Sequence, residues 1–394
     1  MKKFHKILEG LKDKSPIPFL LENGYTPESI KAEIIQTFKP YFKNKANLEE
    51  YSIKFLVSDW INFHRMMAIY PDIENEVQKV LATYNEALSK DYEKTIEILV
   101  CLSSKHIESG NKYWSFLNME VNKKKLEIYE YAKVLMEDIS NIIEGLSKSL
   151  YVENVLINKI RRGKSIDIEK TLSTKLGSLI QDLIDNSPYA SLFLVPSENI
   201  KLSDWRNIAA HHTYKIVDEE VFCETGQGDK KKNFIVSREG MFERLEYCMR
   251  TTEVLNMVHK IFGFDNLPEI SERIKEEKLN ARPEIGFLMF SSALMSQGFE
   301  ILHIDYNSEK ATLEIIDLIT DDPRMRGIHS SQLLNQLWLL TSSKMLEIKY
   351  FTKAKQLYMT SRISSAIFEE IEVDKDKGVE YFAENVEFEI NDGA

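Results

Sequence analysis

The sequence predicts a mainly α-helical protein with a small α+β domain at its carboxyl end. Glycine (15) and proline (10) are both scarce among the 394 residues, which favours long helices over a loop-rich β protein. A hydrophobic fraction of 43% supplies a sizeable buried core. Past Pro283, helical periodicity gives way to alternating apolar and polar residues, a pattern typical of strands. We therefore expect an N-terminal helical region (1–115), a central helical bundle (116–265) and an α+β domain (283–394).

The N-terminal region shows helical periodicity at 28–38, 46–69 and 87–108, with prolines between the segments. It contains no catalytic motif, which favours a role as scaffold, sensor or oligomerisation element.

The central region predicts several helices and a pair of strands. A long helix over 116–150 carries one apolar stripe at helical spacing. The stripe consists of Leu135, Ile139, Ile142, Leu146 and Leu150. Shorter helices follow at about 152–162 and 171–184, and another begins at Ser203, a favourable N-cap. The segments YKIVDEEVF and KNFIVS predict two short strands, and a last amphipathic helix ends at Gly263.

In the α+β domain, FEILHIDYN and ATLEIIDLI predict a β-hairpin joined by NSEK. A helix at about 328–346 follows. The segment VEYFAENVEFEI near the carboxyl end alternates like a strand.

Charge and cysteine content exclude several classes of protein. A net charge of −11 argues against a general nucleic-acid coat, although a local basic patch stays compatible with it. Three cysteines without a CxxC pair argue against a disulfide framework and a cysteine-rich zinc site. The basic N-terminus lacks the apolar stretch of a signal peptide, and no stretch of about 18 apolar residues predicts a membrane span. We expect a cytoplasmic protein that makes no contact with membranes.

Two basic segments stand out against this acidic background. Between Lys159 and Lys175 there are six basic and two acidic residues, and the turn ETGQGDKKK holds three consecutive lysines. Each is either a solvated surface segment or a rim that faces the phosphates of RNA. The residues that would bind RNA are Lys159, Arg161, Arg162, Lys164, Lys230, Lys231 and Lys232.

The segment SDWRNIAAHHTY (203–214) combines residues suited to RNA cleavage. Asn207 and His211 are four residues apart and share one helical face, and the long side chain of Arg206 can lean toward them. Cleavage by the 2′-hydroxyl of RNA needs a proton acceptor, a proton donor and a cation for the phosphate. A histidine, with a pKa of about 6.5 in model peptides, can serve as either acid or base. An arginine grips phosphate oxygens with two donors, and an asparagine can orient the imidazole.

The RNxxAH motif, preceded by Trp205 and set among the predicted helices of 116–263, resembles the signature of the HEPN superfamily. The resemblance implies a small α-helical bundle that dimerises through the Arg206–His211 helix. It also implies a metal-independent endoribonuclease that uses no cofactor, of a kind found in toxin–antitoxin, CRISPR-linked and abortive-infection systems. Arg206 and His211 would be the catalytic pair, Asn207 would assist, and His212 and Tyr214 would be accessory. Tyr214 lies three residues after His211 and two after His212, and this spacing leaves open which histidine acts.

Two other interpretations compete with a ribonuclease. Arg206, Asn207 and His211 could instead pin a helix–loop junction, or the bundle could be a non-catalytic dimer that binds a nucleotide, an RNA or a protein. Adjacent His211 and His212 point about 100° apart on a helix, and HExxH is absent, so we expect no metal. For an enzyme, the expected partners are RNA, a second copy, and a regulatory protein or phage-derived trigger read by the flanking regions. The expected setting is bacterial defence against phage.

Overall fold

A computed structural model describes residues 16–117, 125–226, 228, 231–274, 282–319, 322–374 and 377–391. The α-helices, in chain order, are α1 (Ile17–Glu22), α2 (Pro27–Phe38), α3 (Lys45–Phe55), α4 (Val57–Ile69), α5 (Ile73–Lys90), α6 (Tyr92–Leu117), α7 (Ile128–Ser140), α8 (Lys148–Arg161), α9 (Ile168–Leu172), α10 (Leu176–Asn186), α11 (Leu202–His211), α12 (Arg238–Asp265), α13 (Leu267–Arg273), α14 (Pro283–Ser296), α15 (Pro323–Ser330), α16 (Leu333–Thr341), α17 (Ser365–Val373) and α18 (Gly378–Asn385). The strands are β1 (Leu194–Val195), β2 (Ile200–Lys201), β3 (Tyr214–Val217), β4 (Glu220–Thr225), β5 (Lys232–Val236), β6 (Phe299–Tyr306), β7 (Lys310–Asp317), β8 (Met345–Phe351), β9 (Leu357–Ser364) and β10 (Glu387–Ile390). The mainly α prediction is confirmed. Of the helices described, none has both the length and the apolar character needed to cross a membrane.

The chain divides into two compact units, each built from separated segments. The first contains the described residues of Met1–Pro40, Glu49–Phe63 and Arg282–Ala394, and the second those of Tyr41–Leu48 and His64–Ala281. This grouping differs from the predicted boundary at residue 115. Residues 64–115 join the second unit because α5 and α6 pack against α8.

Helix α8 lies at the centre of the second unit. Eleven of its residues are buried, so nearly its whole circumference is covered. Helices α5, α6 and α10 pack around it. Three of its buried residues, Glu153, Asn154 and Asn158, are polar and fully inaccessible to solvent. Buried polar groups of this kind must find hydrogen-bond partners, and α8 therefore carries a polar network within an apolar core.

The long helix predicted over 116–150 is wrong as a single element. Helix α7 begins at Ile128, a π-helical segment follows at Asn141–Leu146, and α8 begins at Lys148. Residues 118–124 lie outside the described part of the chain. The backbone N–H of Ser147 donates to the Ile142 carbonyl at 3.0 Å, the five-residue spacing that defines a π-helix. The predicted stripe itself is confirmed, since all five of its residues are buried.

A three-stranded antiparallel sheet with the order β3-β4-β5 connects α11 to α12. The segment YKIVDEEVF was predicted as one strand, but it forms the β3–β4 hairpin. Asp218 and Glu219 both have positive φ angles, 50° and 67°. Two consecutive left-handed residues are the geometry of the tightest hairpin turns. The sequence lacks the usual Asn-Gly or Asp-Gly signal, so local pattern does not predict this turn.

The first unit contains a five-stranded sheet with the order β10-β9-β8-β7-β6. Strands β6 and β7 form the predicted hairpin, and β7 pairs with β8 in parallel after the crossover through α15 and α16. The predicted helix at 328–346 is wrong, because α15 and α16 share this range and β8 begins at Met345. Part of the terminal segment predicted as a strand is helix α18, whose Phe382 stacks on Phe368 of α17, and only β10 is extended.

Candidate functional site

Helix α11 carries the RNxxAH motif and is anchored in the core by a buried side chain. Trp205 is fully buried, and its ring meets Phe234 of β5 edge-on with the centroids 5.5 Å apart. The helix begins at Leu202, one residue before the predicted start, and its N-cap is Lys201. The predicted N-cap Ser203 is therefore wrong. The Asp204 carboxylate accepts a hydrogen bond from the Lys201 backbone N–H at 3.2 Å, which satisfies a donor at the helix end.

Asn207 and His211 lie exposed on the outer side of α11, together with Ala210. Their spacing places them on the same helical face. Within the described part of the chain the His211 imidazole has no hydrogen-bond partner, so its ring nitrogens are open to solvent or to a ligand. His211 is also the last residue of the helix, where backbone carbonyls point outward.

The Arg206 side chain is half-buried and is held by Glu144. Its Nε donates to Glu144 Oε2 at 2.6 Å, and its Nη2 lies 2.5 Å from the same oxygen. Its Nη1 donates to Asn207 Oδ1 at 3.3 Å. The structure thus brings Arg206 and Asn207 together and fixes the plane of the guanidinium group.

Glu144 is a residue that sequence reasoning missed. It lies 62 positions before Arg206 and belongs to the π-helical segment Asn141–Leu146. A π-helical turn inserts an extra residue and thereby redirects the side chains around it. Because no sequence pattern predicted that insertion, nothing placed Glu144 opposite Arg206.

His212 and Tyr214 leave the face that carries Asn207 and His211. His212 has a φ of 53° and ends α11 in the left-handed conformation. Its ring centroid lies 6.2 Å from that of Tyr214, the first residue of β3. Burial raises the pKa of the Tyr214 hydroxyl, and the nearby Tyr129 and Glu137 raise it further. These two rings form a separate pair beside the helix end.

The predicted RNA-binding arginines are engaged within the fold. Arg161 Nη2 donates to the Asn186 carbonyl at 2.9 Å, and Arg162 Nη1 donates to the Asn186 side chain. Arg162 Nη2 also lies 3.5 Å from Asp182 Oδ1. Both guanidinium groups therefore bind the carboxyl end of α10.

The predicted lysines differ in their surroundings. Lys164 is exposed and Lys159 is half-buried. Lys231 Nζ pairs with Glu224 Oε2 at 2.6 Å, and Lys232 Nζ donates to the Asn199 carbonyl at 3.1 Å. Lys230 lies outside the described residues. Lys164, Lys231 and Lys232 are all exposed, and the ammonium groups of Lys231 and Lys232 already have partners within the fold.

Three side chains on separate helices could hold a metal ion. His106, Glu153 and His259 have ligand atoms that all lie within 4.8 Å of one another. The sequence does not single out these three residues, because each lies on a different helix and no spacing motif joins them.

Comparisons of the chain with protein-family models, with curated proteins and with solved structures found no match. The resemblance to the HEPN superfamily consequently rests on the motif and its helical surroundings alone.

Proposed function

We propose that the Arg206–His211 site cleaves RNA without a catalytic metal ion, in the manner of a HEPN-type endoribonuclease. One observation carries the proposal. A guanidinium group held in a fixed plane, an amide that touches it and an unengaged imidazole are gathered on one short helix that faces solvent. A phosphate binder and an acid–base group on one rigid element are what 2′-hydroxyl attack requires.

In the proposed reaction the 2′-oxygen attacks the adjacent phosphorus and the bond from phosphorus to the 5′-oxygen breaks. The His211 imidazole accepts the 2′-hydroxyl proton, and Arg206 stabilises the extra negative charge on the phosphoryl oxygens. The departing 5′-oxygen takes a proton from an acid, for which we propose His211 of a second copy. The products are a 2′,3′-cyclic phosphate and a 5′-hydroxyl.

The test is cleavage of end-labelled cellular RNA and tRNA by the purified full chain in EDTA. We expect the wild type to release fragments with cyclic phosphate ends, and we expect His211→Ala to lose at least about 100-fold in rate, within the usual range for an acid–base group. His303→Ala is the matched control, because His303 is also exposed but lies on β6 in the first unit. Equal cleavage by wild type and His211→Ala would reject the proposal.

A second candidate is a non-catalytic binding module. The pairing of Arg206 with Glu144 favours it, because this contact also ties α11 to the π-helical segment and partly neutralises the cation. This function predicts no cleavage under any condition but stabilisation of the protein by a nucleotide or RNA. Toxicity on overexpression that disappears in His211→Ala would speak for the enzyme instead.

We further propose that the first unit restrains or triggers the site, in the setting of bacterial anti-phage defence. An unrestrained ribonuclease would destroy the RNA of its own cell, which motivates a control element. Removal of restraint by a phage-derived partner would appear as cleavage that depends on that partner.

A further inference from the structure

A fully buried carboxylate lies between two histidines in the second unit. Glu153 of α8 has no exposed surface, whereas the side chains of His106 on α6 and His259 on α12 are 11% and 21% exposed. His106 Nε2 lies 2.5 Å from Glu153 Oε2, and His259 Nδ1 lies 3.0 Å from the same oxygen. One carboxylate oxygen thus faces two imidazole nitrogens.

One of these nitrogens has no hydrogen bond of its own. The contact of His106 Nε2 with Glu153 is close but poorly aligned, and Nε2 is a buried atom without a hydrogen-bond partner among the described residues. The imidazole rings of His106 and His259 lie close together, with an interplanar angle of 32° and centroids 4.1 Å apart. Two imidazole nitrogens crowd one anionic oxygen, and a cation held by all three atoms would give His106 Nε2 the partner that this contact does not supply.

Burial and the contacts within the triad shift the pKa values of its members. Burial would raise the pKa of Glu153, but the adjacent His259 and His106 outweigh it and hold that pKa well below its usual range. Burial lowers the pKa of His106, as does His259, against an opposing effect of Glu153.

A chain of hydrogen bonds among buried side chains holds the Glu153 carboxylate in place. The Tyr84 hydroxyl donates to Glu153 Oε1 at 2.7 Å, and Asn154 Nδ2 donates to the Tyr84 oxygen at 3.1 Å. The Tyr189 hydroxyl donates to Asn154 Oδ1 at 2.8 Å, and it accepts from Asn158 Nδ2 at 2.8 Å. Metal ligands are commonly oriented by such outer hydrogen bonds. The network engages Oε1, which also lies 3.1 Å from His259 Nδ1, and Oε2 faces both histidines.

We propose that His106, Glu153 and His259 bind one divalent transition-metal ion of the zinc class, which joins α6, α8 and α12. Two imidazoles and one carboxylate suit zinc and its neighbours, whereas Mg²⁺ and Ca²⁺ prefer oxygen ligands alone. Three protein ligands leave a fourth position for water. The partial exposure of both histidines gives the ion a route from solvent. The site is separate from the RNxxAH motif and does not depend on the proposed ribonuclease.

The geometry sets a condition on this proposal. Ligands at about 2.0–2.1 Å from a tetrahedral ion are about 3.3 Å apart. The two imidazole nitrogens must therefore move away from Glu153 Oε2 by a few tenths of an ångström to almost one ångström. Such a shift is within the reach of side-chain torsions.

The experiment titrates the chelator-stripped full chain with Zn²⁺ in competition with a chromogenic chelator. We expect one ion per wild-type chain and none in the double variant with His106→Gln and His259→Gln. His303→Gln and a double variant with His211→Ala and His212→Ala are the controls, because exposed histidines can also bind zinc, and both should keep the ion. Equal stoichiometry in wild type and the His106 and His259 variant would overturn the proposal, as would no binding by the wild type.

Two further readouts do not depend on any activity. Co²⁺ in place of Zn²⁺ should give visible absorption that disappears in Glu153→Gln, a variant that keeps the shape of the side chain. Zn²⁺ at 100 times its dissociation constant should raise the equilibrium constant for folding about 100-fold in the wild type and leave the double variant unchanged. A hydrogen-bonded triad without metal would show neither effect, and that result would reject the site.

Discussion

The guanidinium group of Arg206 meets the carboxylate of Glu144 with an Nε–Oε2 distance of 2.6 Å, across 62 positions of sequence. The arginine of the motif is therefore not a free cation. Two of its nitrogens face the acid, and Nη1 is directed toward Asn207. The contact orients the one group that would grip a phosphate, and it does so from a π-helical turn that the sequence did not reveal.

We expect Glu144→Ala to lower the rate of RNA cleavage by about 10- to 100-fold, because a guanidinium group displaced by about 1 Å loses that much in a positioned reaction. The free energy of unfolding should fall by no more than about 1 kcal/mol, since the pair is partly exposed. Cleavage kinetics and urea unfolding of the same preparations measure the two effects.

Glu144→Gln keeps an acceptor for Arg206 and should recover part of the lost rate. A rate above that of the wild type in either variant would contradict the positioning role, because it would mean that Glu144 competes with the phosphate.

The end of α11 allows a test that separates the two adjacent histidines. His212 occupies a left-handed position, where a residue with a Cβ is strained and glycine is not. We expect His212→Gly to raise the free energy of unfolding by about 0.5–1 kcal/mol, after allowance for the greater flexibility of unfolded glycine. Cleavage should be unchanged. Loss of cleavage in His212→Gly, with His211→Ala still active, would assign the acid–base role to His212.

The sequence predicted those features of the fold and of the candidate site that depend on a local pattern of residues. The apolar stripe from Leu135 to Leu150 is buried, the β6–β7 hairpin forms, and Asn207 and His211 share a helical face. Each of these follows from a period of 3.6 or 2 residues within one element.

What the sequence did not predict depends on contacts between distant elements. The π-helical turn places Glu144 beside Arg206, and three helices bring His106 and His259 to Glu153. Arg162 looked like a phosphate binder, yet Asp182 and Asn186 occupy its side chain. Pairing of this kind is decided by tertiary packing, which a count of local charge does not show.

Substitutions at two residues of the basic segment that follows α8 should have different effects. Lys164 is exposed, so Lys164→Ala should weaken RNA binding and reduce the slope of log affinity against log salt by about one, with little change in stability. Arg162→Ala should instead destabilise the fold by about 1 kcal/mol, because it removes the contacts of the guanidinium group with the partly exposed Asn186 and Asp182 side chains. Salt-dependent binding of labelled RNA and thermal unfolding measure these effects. If the salt slope of Lys164→Ala equals that of the wild type, this segment does not belong to the surface that binds RNA.

The buried triad makes the free energy of unfolding depend on pH. Burial lowers the pKa of folded His106 below the value of about 6.5 for unfolded histidine. Below about pH 6.5 His106 binds a proton in the unfolded chain but not in the folded chain. The free energy of unfolding therefore falls as the pH falls. The pKa of Glu153 is also depressed on folding, because its neighbours His259 and His106 outweigh the opposing effect of burial. That contribution is present above about pH 4.5 and is lost as the pH falls further.

Thermal unfolding in EDTA between pH 7.5 and 5 measures the first effect without bound metal. We expect the unfolding temperature of the wild type to fall across this window, and we expect a smaller fall in His106→Gln, where the titrating ring is absent. His303→Gln should follow the wild type. The titratable groups that face His106 are Glu153 and His259, and both are retained in His106→Gln. Parallel curves for wild type and His106→Gln would show that this histidine titrates alike in the folded and unfolded chain.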